Sequence, residues 1–432
     1  MSTHAATIPP TVASASAPAS SSSGPAATKA LTLGIIGLVA TAAGLAIPGG
    51  GKALAFSYLT GIVFWTGIAL GALFLVMIHH VFDAGWSTVL RRQFENWLSC
   101  FPWLALLFVP LIASAFFAPG MIWKWTDPSY DLAQVGGHGT VAQDVLWVKK
   151  SGLLSTTSLV IASIVGFAGW SLLANRFRTH SFTQDTDGDI AHTHANRFWT
   201  AVGLPFTALS MTLCVILWVK ALDYHWYSTM YGVWFFAGCV RGALSVGMII
   251  TVWLWNRGDY KGILNNNHMH SHGMLMFAFT VFWAYITFSQ YFLIYMANIP
   301  EETFWYSLRE INTDGHFNTW GYVGFFLLFG HFVAPFLTLI HYPVKLSKIW
   351  MPRIAAFIAF VFLVDVTYNV MPSLKKITGD AYPFTSLNLL WIATSVVGVG
   401  GVCVWAYLNS FSKTKLIPIR DPRIGESLTH HE

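Results

Sequence analysis

Long apolar segments separated by short polar ones recur along almost the whole chain. About 20 apolar residues are needed for a helix to cross the hydrocarbon core of a bilayer. Ten segments reach about this length, at residues 30–48, 53–78, 101–120, 151–175, 198–219, 229–255, 272–299, 318–341, 351–371 and 385–408. Because a bilayer interior offers no water to backbone groups, each segment is predicted to be helical. The pattern predicts an all-α integral membrane protein with ten transmembrane helices.

The segments that flank the spans complete the predicted domain organisation. Residues 1–29 are rich in Ala, Ser, Thr and Pro and contain no aromatic residue, which predicts a disordered tail. A ten-helix membrane domain then covers residues 30–409, and residues 410–432 form a C-terminal tail. An even number of spans puts both termini on one side. That side carries most of the 24 Lys and Arg residues, so both tails are predicted to be cytoplasmic.

Composition supports the membrane class and excludes some functions. Hydrophobic residues make up 55% of the chain and charged residues only 10%, too few to cover a soluble protein of 432 residues. A net charge of +5 is too small to indicate nucleic-acid binding. The four cysteines are scattered without a CxxC pair, which argues against a disulfide framework or a thiolate metal site.

Two charged residues and one histidine lie well inside predicted spans, away from their ends. Asp365 lies in "FLVDVTYNVMP", His331 in "LLFGHFVAPF" and Arg241 in "FAGCVRGALSVG". A charge at membrane depth costs at least about 2.5 kcal/mol on insertion scales, so each is a functional hypothesis. Asp365 and His331 could exchange a proton, or form a pair that only fixes helix packing. Arg241 could tune a carboxylate or hold an anion or quinone oxygen, or serve as a structural counter-ion.

Span 7 carries a stripe of polar residues. It consists of Thr280, Thr287, Gln290 and Asn298, with Tyr285 and Ser289 on flanking faces. Such a stripe can line a hydrated path, although packing between helices is its commoner use. Glu301 and Glu302 follow the outer end of the span, where carboxylates could release protons to water.

The motif "HMHSH" precedes span 7 and places His268, His270 and His272 on alternate positions. In an extended segment the three rings would share one side, and imidazoles suit copper or zinc. No carboxylate or cysteine completes a familiar metal motif, so a solvated polar loop is favoured. Haem ligation by two histidines is disfavoured, because only His331 lies clearly at membrane depth.

The segment "HHVFDAGWSTVLRRQFENWL" at residues 79–98 alternates apolar and charged positions, as an interfacial helix does. Trp86 suits the headgroup layer, and Arg91 and Arg92 suit lipid phosphates or a partner. His80 at the mouth of span 2 could collect protons. Anchoring at the membrane surface is the favoured interpretation.

Several segments together resemble one family. They are "AGWSTVLRRQFEN" (84–96), "LDYHWYSTMYGVWFFAG" (222–238), "LMFAFTVFWAYITFSQYFLIYMANIPEETFWY" (275–306), "GHFVAPF" (330–336) and "DVTYNVMP" (365–372). They resemble the larger membrane subunit of bacterial alternative complex III, a quinol:cytochrome c oxidoreductase. Its membrane subunits are related to the polysulfide reductase membrane subunit. The resemblance runs from span 2 to span 9 and implies two four-helix bundles, helices 2–5 and 6–9, with helices 1 and 10 peripheral.

The resemblance also implies partners and cofactors. The partners are a second homologous membrane subunit, an iron–sulfur subunit, and multihaem and monohaem c-type cytochromes in the bacterial inner membrane. Haem c and the iron–sulfur clusters then lie in those subunits, with no redox cofactor on this chain. Quinol, the substrate of the complex, is expected in the sister membrane subunit, and this subunit is expected to provide a proton route.

Individual residues match or depart from the family pattern. Those on family positions are Asp365, His331, Pro335, Gln290, Tyr285, Glu301, Glu302, His80, Arg91, Arg92 and Glu95. Asn369 stands where the family suggests an aromatic residue, and Arg241 stands in a part of span 6 where the family suggests apolar residues. Three rival functions stay open: a subunit that binds quinol itself, a scaffold for the cytochrome and iron–sulfur subunits, and a copper or zinc protein built on "HMHSH".

Overall fold

Ten long helices dominate the computed structural model, which describes residues 23–47, 50–135, 137–374 and 385–431. In chain order, α1 to α10 are Ser23–Ala43, Gly51–Val81, Phe101–Phe117, Thr156–Asp187, Ala191–Trp218, Tyr231–Arg257, Asn266–Ala297, Thr319–Leu339, Trp350–Val370 and Ser386–Phe411. Each lies in a helical stretch long and apolar enough to cross a membrane. The prediction of an all-α integral membrane protein with ten spans is confirmed for the described residues.

The helices pack as two four-helix groups and one peripheral pair. In the first group α3 lies between α2 and α4, and α5 packs on both α4 and α2. In the second group α7 and α9 both pack on α6, and α8 lies between α7 and α9. Helix α2 joins the groups through α6 and α9, while α10 packs on α2 and α1 on α10. This is the arrangement that the resemblance implied.

The crossing of α2 and α6 forms the centre of the molecule. Both helices are apolar on nearly all faces and almost completely buried, as expected for helices without a solvent face. A Cβ atom added at Gly71 would lie 1.9 Å from the carbonyl oxygen of Cys239. Only glycine therefore allows the two backbones to approach so closely.

The peripheral pair also depends on small residues. A Cβ atom at Gly37 of α1 would lie 2.6 Å from the backbone nitrogen of Gly398 on α10. Helix α1 begins at Ser23, so residues 23–29 of the predicted disordered tail are helical, and that part of the prediction is wrong. Residues 1–22 lie outside the described residues.

Helix α8 is not a regular α-helix. It consists of α-helical Thr319–Leu327, a π-helical turn Leu328–Val333 and α-helical Ala334–Leu339. Pro335 has no backbone N–H and cannot bond the carbonyl of His331 four residues earlier. The missing bond accounts for a wider turn at this position, and π-helical turns are frequent at functional sites. The turn carries His331.

Helices α4 and α5 continue past the predicted spans as a hairpin. Helix α4 ends at Asp187 instead of residue 175, and α5 begins at Ala191 instead of residue 198. Gly188, with φ of 72°, turns the chain between them. The extra turns are polar, and apolar length alone does not predict helix outside the hydrocarbon.

Shorter segments cover the two ends of the bundle. The side that carries the start of α1 and the end of α10 is called the terminal side, and the other is called the opposite side. On the terminal side, helix Thr88–Trp97 is covered by residues 412–431, here called the C-terminal segment, whose Ile417 is fully buried. On the opposite side, helix Pro300–Glu310 lies over the second group. The predicted C-terminal tail is thus packed against the membrane domain.

Candidate functional site

Three ionisable side chains from three helices meet inside the second helix group. They are Arg241 of α6, His331 in the π-helical turn of α8, and Asp365 of α9. All three are buried, Arg241 and His331 completely. Arg241 Nη1 donates a hydrogen bond to His331 Nδ1, and His331 Nε2 lies 3.8 Å from Asp365 Oδ2. The residues that the sequence marked as costly at membrane depth therefore form one cluster.

The contacts define the tautomer of the imidazole. A guanidinium group only donates hydrogen bonds, so Nδ1 of His331 must accept. The proton of neutral His331 then sits on Nε2, which faces the carboxylate of Asp365. The separation of 3.8 Å is too long for a direct hydrogen bond but short enough for a strong electrostatic interaction.

Further side chains hold the carboxylate of Asp365, among them Trp283 and Asn369, which the sequence did not single out as part of the site. Trp283 Nε1 of α7 donates to Asp365 Oδ2 at 3.1 Å, and its ring stacks on the His331 ring at 3.8 Å between centroids. Asn369 Nδ2 donates to Asp365 Oδ1 at 3.2 Å. Asn369 lies one helical turn after Asp365, a spacing that puts two side chains on one face. That spacing was the signal that could have found it.

The cluster retains unused hydrogen-bonding capacity. Nε and Nη2 of Arg241 and Nε2 of His331 are buried and have no hydrogen-bond partner among the described residues. Buried polar groups are normally paired, and an unpaired donor in a low-dielectric interior costs about 1–3 kcal/mol. These donors are free to bond a buried water molecule, the usual partner of such groups.

A line of polar groups leads from the cluster to the opposite side. Tyr231 OH donates to Asn369 Oδ1 at 3.2 Å. The buried Arg309 donates to the carbonyl oxygens of Tyr368 at 3.2 Å and Asn369 at 3.4 Å. Its Nη2 also lies 3.8 Å from Asp223 Oδ2. Arg309 thus connects the end of α9 to a second buried carboxylate.

Asp223 lines a cleft of about 460 Å³ on the opposite side. Asp144, which lines the same cleft, accepts a hydrogen bond from Tyr224 OH at 2.6 Å and contacts the imidazole of His225. Partial burial acts to raise the pKa of Asp144, but the Tyr224 hydroxyl and the His225 ring outweigh it and lower the pKa. The cleft therefore holds carboxylates near the end of the polar line.

Only some of the polar residues predicted to form a stripe on α7 lie where they could line a proton path. Gln290 Oε1 accepts from Ser228 at 2.6 Å, and its Nε2 donates to Tyr306 OH at 3.0 Å, close to the opposite side. Tyr285 is 66% exposed on the outer surface of α7, and its part in a proton path stays a prediction. Thr287 is half-buried, and its hydroxyl has no partner among the described residues.

The carboxylates beyond α7 are at the surface. Glu301 is exposed and Glu302 half-buried in the first turn of helix Pro300–Glu310. Neither has a described contact to the Asp365 cluster. Arg309, from the last turn of the same helix, does contact the end of α9.

The histidine motif is helical, so the prediction of a solvated loop is wrong. Helix α7 begins at Asn266, and Asn265 caps it by accepting from the backbone of residues 267 and 268. His268 and His272, one turn apart, are buried, whereas His270 points elsewhere, against the Tyr342 ring. The described residues contain no group of three or more His, Cys, Asp or Glu side chains placed for a metal ion.

The segment predicted to lie at the membrane surface is buried instead. Arg91, Arg92 and Glu95 are at most 5% exposed, and Trp86 is half-buried. His80 is also buried, with its ring stacked on Phe177, and its role in collecting protons stays a prediction. An amphipathic pattern does not reveal what covers its polar face, which here is protein and not lipid.

The buried charges of this segment form a cluster of ion pairs. Arg91 pairs with Asp421 of the C-terminal segment, and its Nε lies 3.1 Å from Glu95 Oε1. Arg92 pairs with Glu95 Oε2 at 3.3 Å and with Asp185 Oδ2 at 2.8 Å. Two arginines and three carboxylates thus join helix Thr88–Trp97, α4 and the C-terminal segment.

Comparison of the chain with models of known protein families found no match, and comparison with characterised protein sequences also found none. A functional assignment therefore depends on the buried residues described above and on the resemblance present in the sequence. Of the two buried charge clusters, the one around Asp365 lies inside the helix bundle and is the better candidate for function.

Proposed function

We propose that this chain is the larger quinone-reductase-like membrane subunit of a respiratory quinol:cytochrome c oxidoreductase of the alternative complex III type. Its own task is to provide a proton path through the second helix group, coupled to quinol oxidation in neighbouring subunits. The observation that carries the proposal is the contact of Arg241, His331 and Asp365 inside the bundle. Ionisable residues inside membrane helices are costly and are typical of proton relays and ion pathways.

Asp365 is the group that changes protonation in this proposal. The Nε2–H of neutral His331 and the indole N–H of Trp283 both face its carboxylate and stabilise the charged form. Burial favours the neutral form. The opposing effects are suited to a carboxyl group that binds and releases a proton, while Arg241 keeps the imidazole in the required tautomer.

The proton leaves towards the opposite side in this scheme. Asn369 and Tyr231 adjoin Asp365, and Arg309 lies between this group and Asp223. The positive charge of Arg309 favours the charged form of Asp223, which lines the cleft where water can accept the proton. Water molecules are needed to bridge the longer gaps.

In this proposal the subunit works together with partner subunits that carry the redox cofactors. The partners are a second homologous membrane subunit, an iron–sulfur subunit and c-type cytochromes, with haem c and iron–sulfur clusters in those subunits and none on this chain. The complex lies in the bacterial inner membrane with both termini of this chain in the cytoplasm, where most of the basic residues are.

Purification through an affinity tag on this chain, after mild solubilisation, tests the assignment. Co-purification of c-type cytochromes and an iron–sulfur subunit, with quinol:cytochrome c activity in the preparation, is the expected result. Isolation of the chain without any redox subunit under conditions that preserve other respiratory complexes would contradict it.

A structural scaffold is the second candidate, because Asp365 of α9 accepts a hydrogen bond from Trp283 of the neighbouring helix α7 and so joins the two helices. An Asp365→Asn variant separates the two functions. A scaffold role predicts less assembled complex with normal activity per complex. The proton-path role predicts assembled complex with impaired proton movement.

A further inference from the structure

A pair of histidines joins the two arms of the α4–α5 hairpin on the terminal side. His180 lies in the last turns of α4 and His192 in the first turn of α5. Their Nδ1 atoms are 3.0 Å apart, and the rings are inclined at 47°. Both side chains are half-buried, so the pair is in contact with solvent. The hairpin lies outside the proposed proton path.

Asp187 determines which nitrogen of His192 carries the proton. Its Oδ2 lies 2.8 Å from His192 Nε2, and a carboxylate only accepts hydrogen bonds. The Nε2 atom of neutral His192 therefore carries the hydrogen, and Nδ1 presents a bare lone pair towards His180. A carboxylate that holds the far nitrogen of an imidazole in this way is the usual companion of a metal-ligating histidine.

Two facing Nδ1 atoms can share one proton or hold one cation. Zn–N bonds of about 2.0–2.1 Å at a tetrahedral angle put two ligand nitrogens about 3.3 Å apart. The separation of 3.0 Å is within a few tenths of an ångström of that value. Imidazole is a preferred ligand of Zn²⁺, Cu²⁺ and Ni²⁺. Because the pair is solvent-accessible, water can supply the remaining ligands.

We propose that His180 and His192 form a two-histidine site for a divalent transition-metal ion, with Asp187 as the residue that positions His192. The bound ion links the end of α4 to the start of α5. Arg197, one turn and a half further along α5, pairs with Asp83 after α2, so the metal stabilises a hairpin that also contacts the chain that follows α2.

Zinc titration of the purified full chain, prepared with a tag that contains no histidine, tests the site. Bound Zn²⁺ is measured by competition with a chromophoric chelator. His180→Ala and His192→Ala are each expected to remove one equivalent of bound zinc. Asp187→Asn is expected to weaken that equivalent by 10–100-fold, because the tautomer of His192 is no longer held. His194→Ala, on the same hairpin but outside the pair, is the matched control and is expected to bind as the wild type does.

The coordination is read out separately by electron spin echo spectroscopy with one equivalent of Cu²⁺. Two coordinated imidazoles are expected in the wild type and one in His180→Ala, with unchanged gel-filtration profiles as a check on folding. Equal zinc binding by the wild type and both histidine variants would overturn the proposal. Binding of no zinc by the wild type would also overturn it and leave the pair as a hydrogen bond between two imidazoles.

Discussion

Neutralising Glu95 is predicted to destabilise the terminal side of the protein substantially. Glu95 is fully buried and accepts contacts from Arg91 Nε at 3.1 Å, Arg92 Nε at 3.3 Å and Ser181 Oγ at 2.7 Å. Glu95→Gln preserves the shape of the side chain and one acceptor oxygen. It removes the negative charge between the two guanidinium groups.

The expected loss of stability follows from the number of positive and negative charges in the cluster. Of the three carboxylates in the cluster, Glu95 is the one that contacts both arginines. After the substitution, Arg91 keeps only Asp421 as a charged partner in the cluster and Arg92 keeps only Asp185. Removal of one partner of a buried ion pair costs about 3–5 kcal/mol. Because glutamine retains an acceptor, the lower end of this range, about 3 kcal/mol, is expected.

The four cysteines provide an assay, because all of them are buried and free. A thiol-reactive fluorescent dye reports their exposure as detergent-solubilised protein is heated. Glu95→Gln is expected to unfold several degrees below the wild type. The control is Glu426→Gln, which removes a solvent-exposed carboxylate from a surface ion pair and is expected to have no measurable effect. If both variants unfold at the wild-type temperature, the buried cluster does not stabilise the protein and the reasoning is refuted.

Three further predictions concern other parts of the molecule. Gly37→Leu is expected to separate α1 from α10 and make α1 accessible to protease, whereas Gly24→Ala, where a Cβ meets no atom, leaves digestion unchanged. Trp283→Phe removes a donor to Asp365 and is expected to shift the infrared carboxyl band of that residue; an unchanged band would contradict the hydrogen bond. Because the pKa of Asp144 is lower in the folded protein, its contribution to stability is present above the unfolded pKa and disappears as pH falls through the folded pKa. An Asp144→Asn variant is expected to lack this part of the acid destabilisation, and an identical pH profile would count against it.

The membrane architecture was predictable because it depends on local apolar length. The ten spans follow from the bilayer thickness, and their number and order agree with the structure. The helix starts at Ser23 and Ala191 were missed because polar helical turns outside hydrocarbon leave no apolar signal. The capping residue Asn265 was a usable signal for the start of α7, since asparagine is a favoured N-cap residue.

The residues of the candidate site that could be predicted are the ionisable ones, because burying an ionisable group in an apolar span costs free energy. Asp365, His331 and Arg241 are conspicuous inside apolar spans, and the structure brings them together. Trp283 is not conspicuous, because tryptophan is common in membrane helices and its indole N–H gives no sign of its partner. The pairing of Arg91 with the C-terminal segment depends on contacts between distant parts of the chain, which a local pattern does not contain.

The proton path through Asp365 is tested most directly by the number of protons moved per quinol oxidised. The assembled complex is reconstituted in vesicles, and wild type is compared with Asp365→Asn and with Asp314→Asn, an exposed carboxylate on the opposite side. Asp365→Asn is predicted to lower this ratio in fully assembled complex, and Asp314→Asn to leave it unchanged. A wild-type ratio and turnover in assembled Asp365→Asn complex would contradict the proton path.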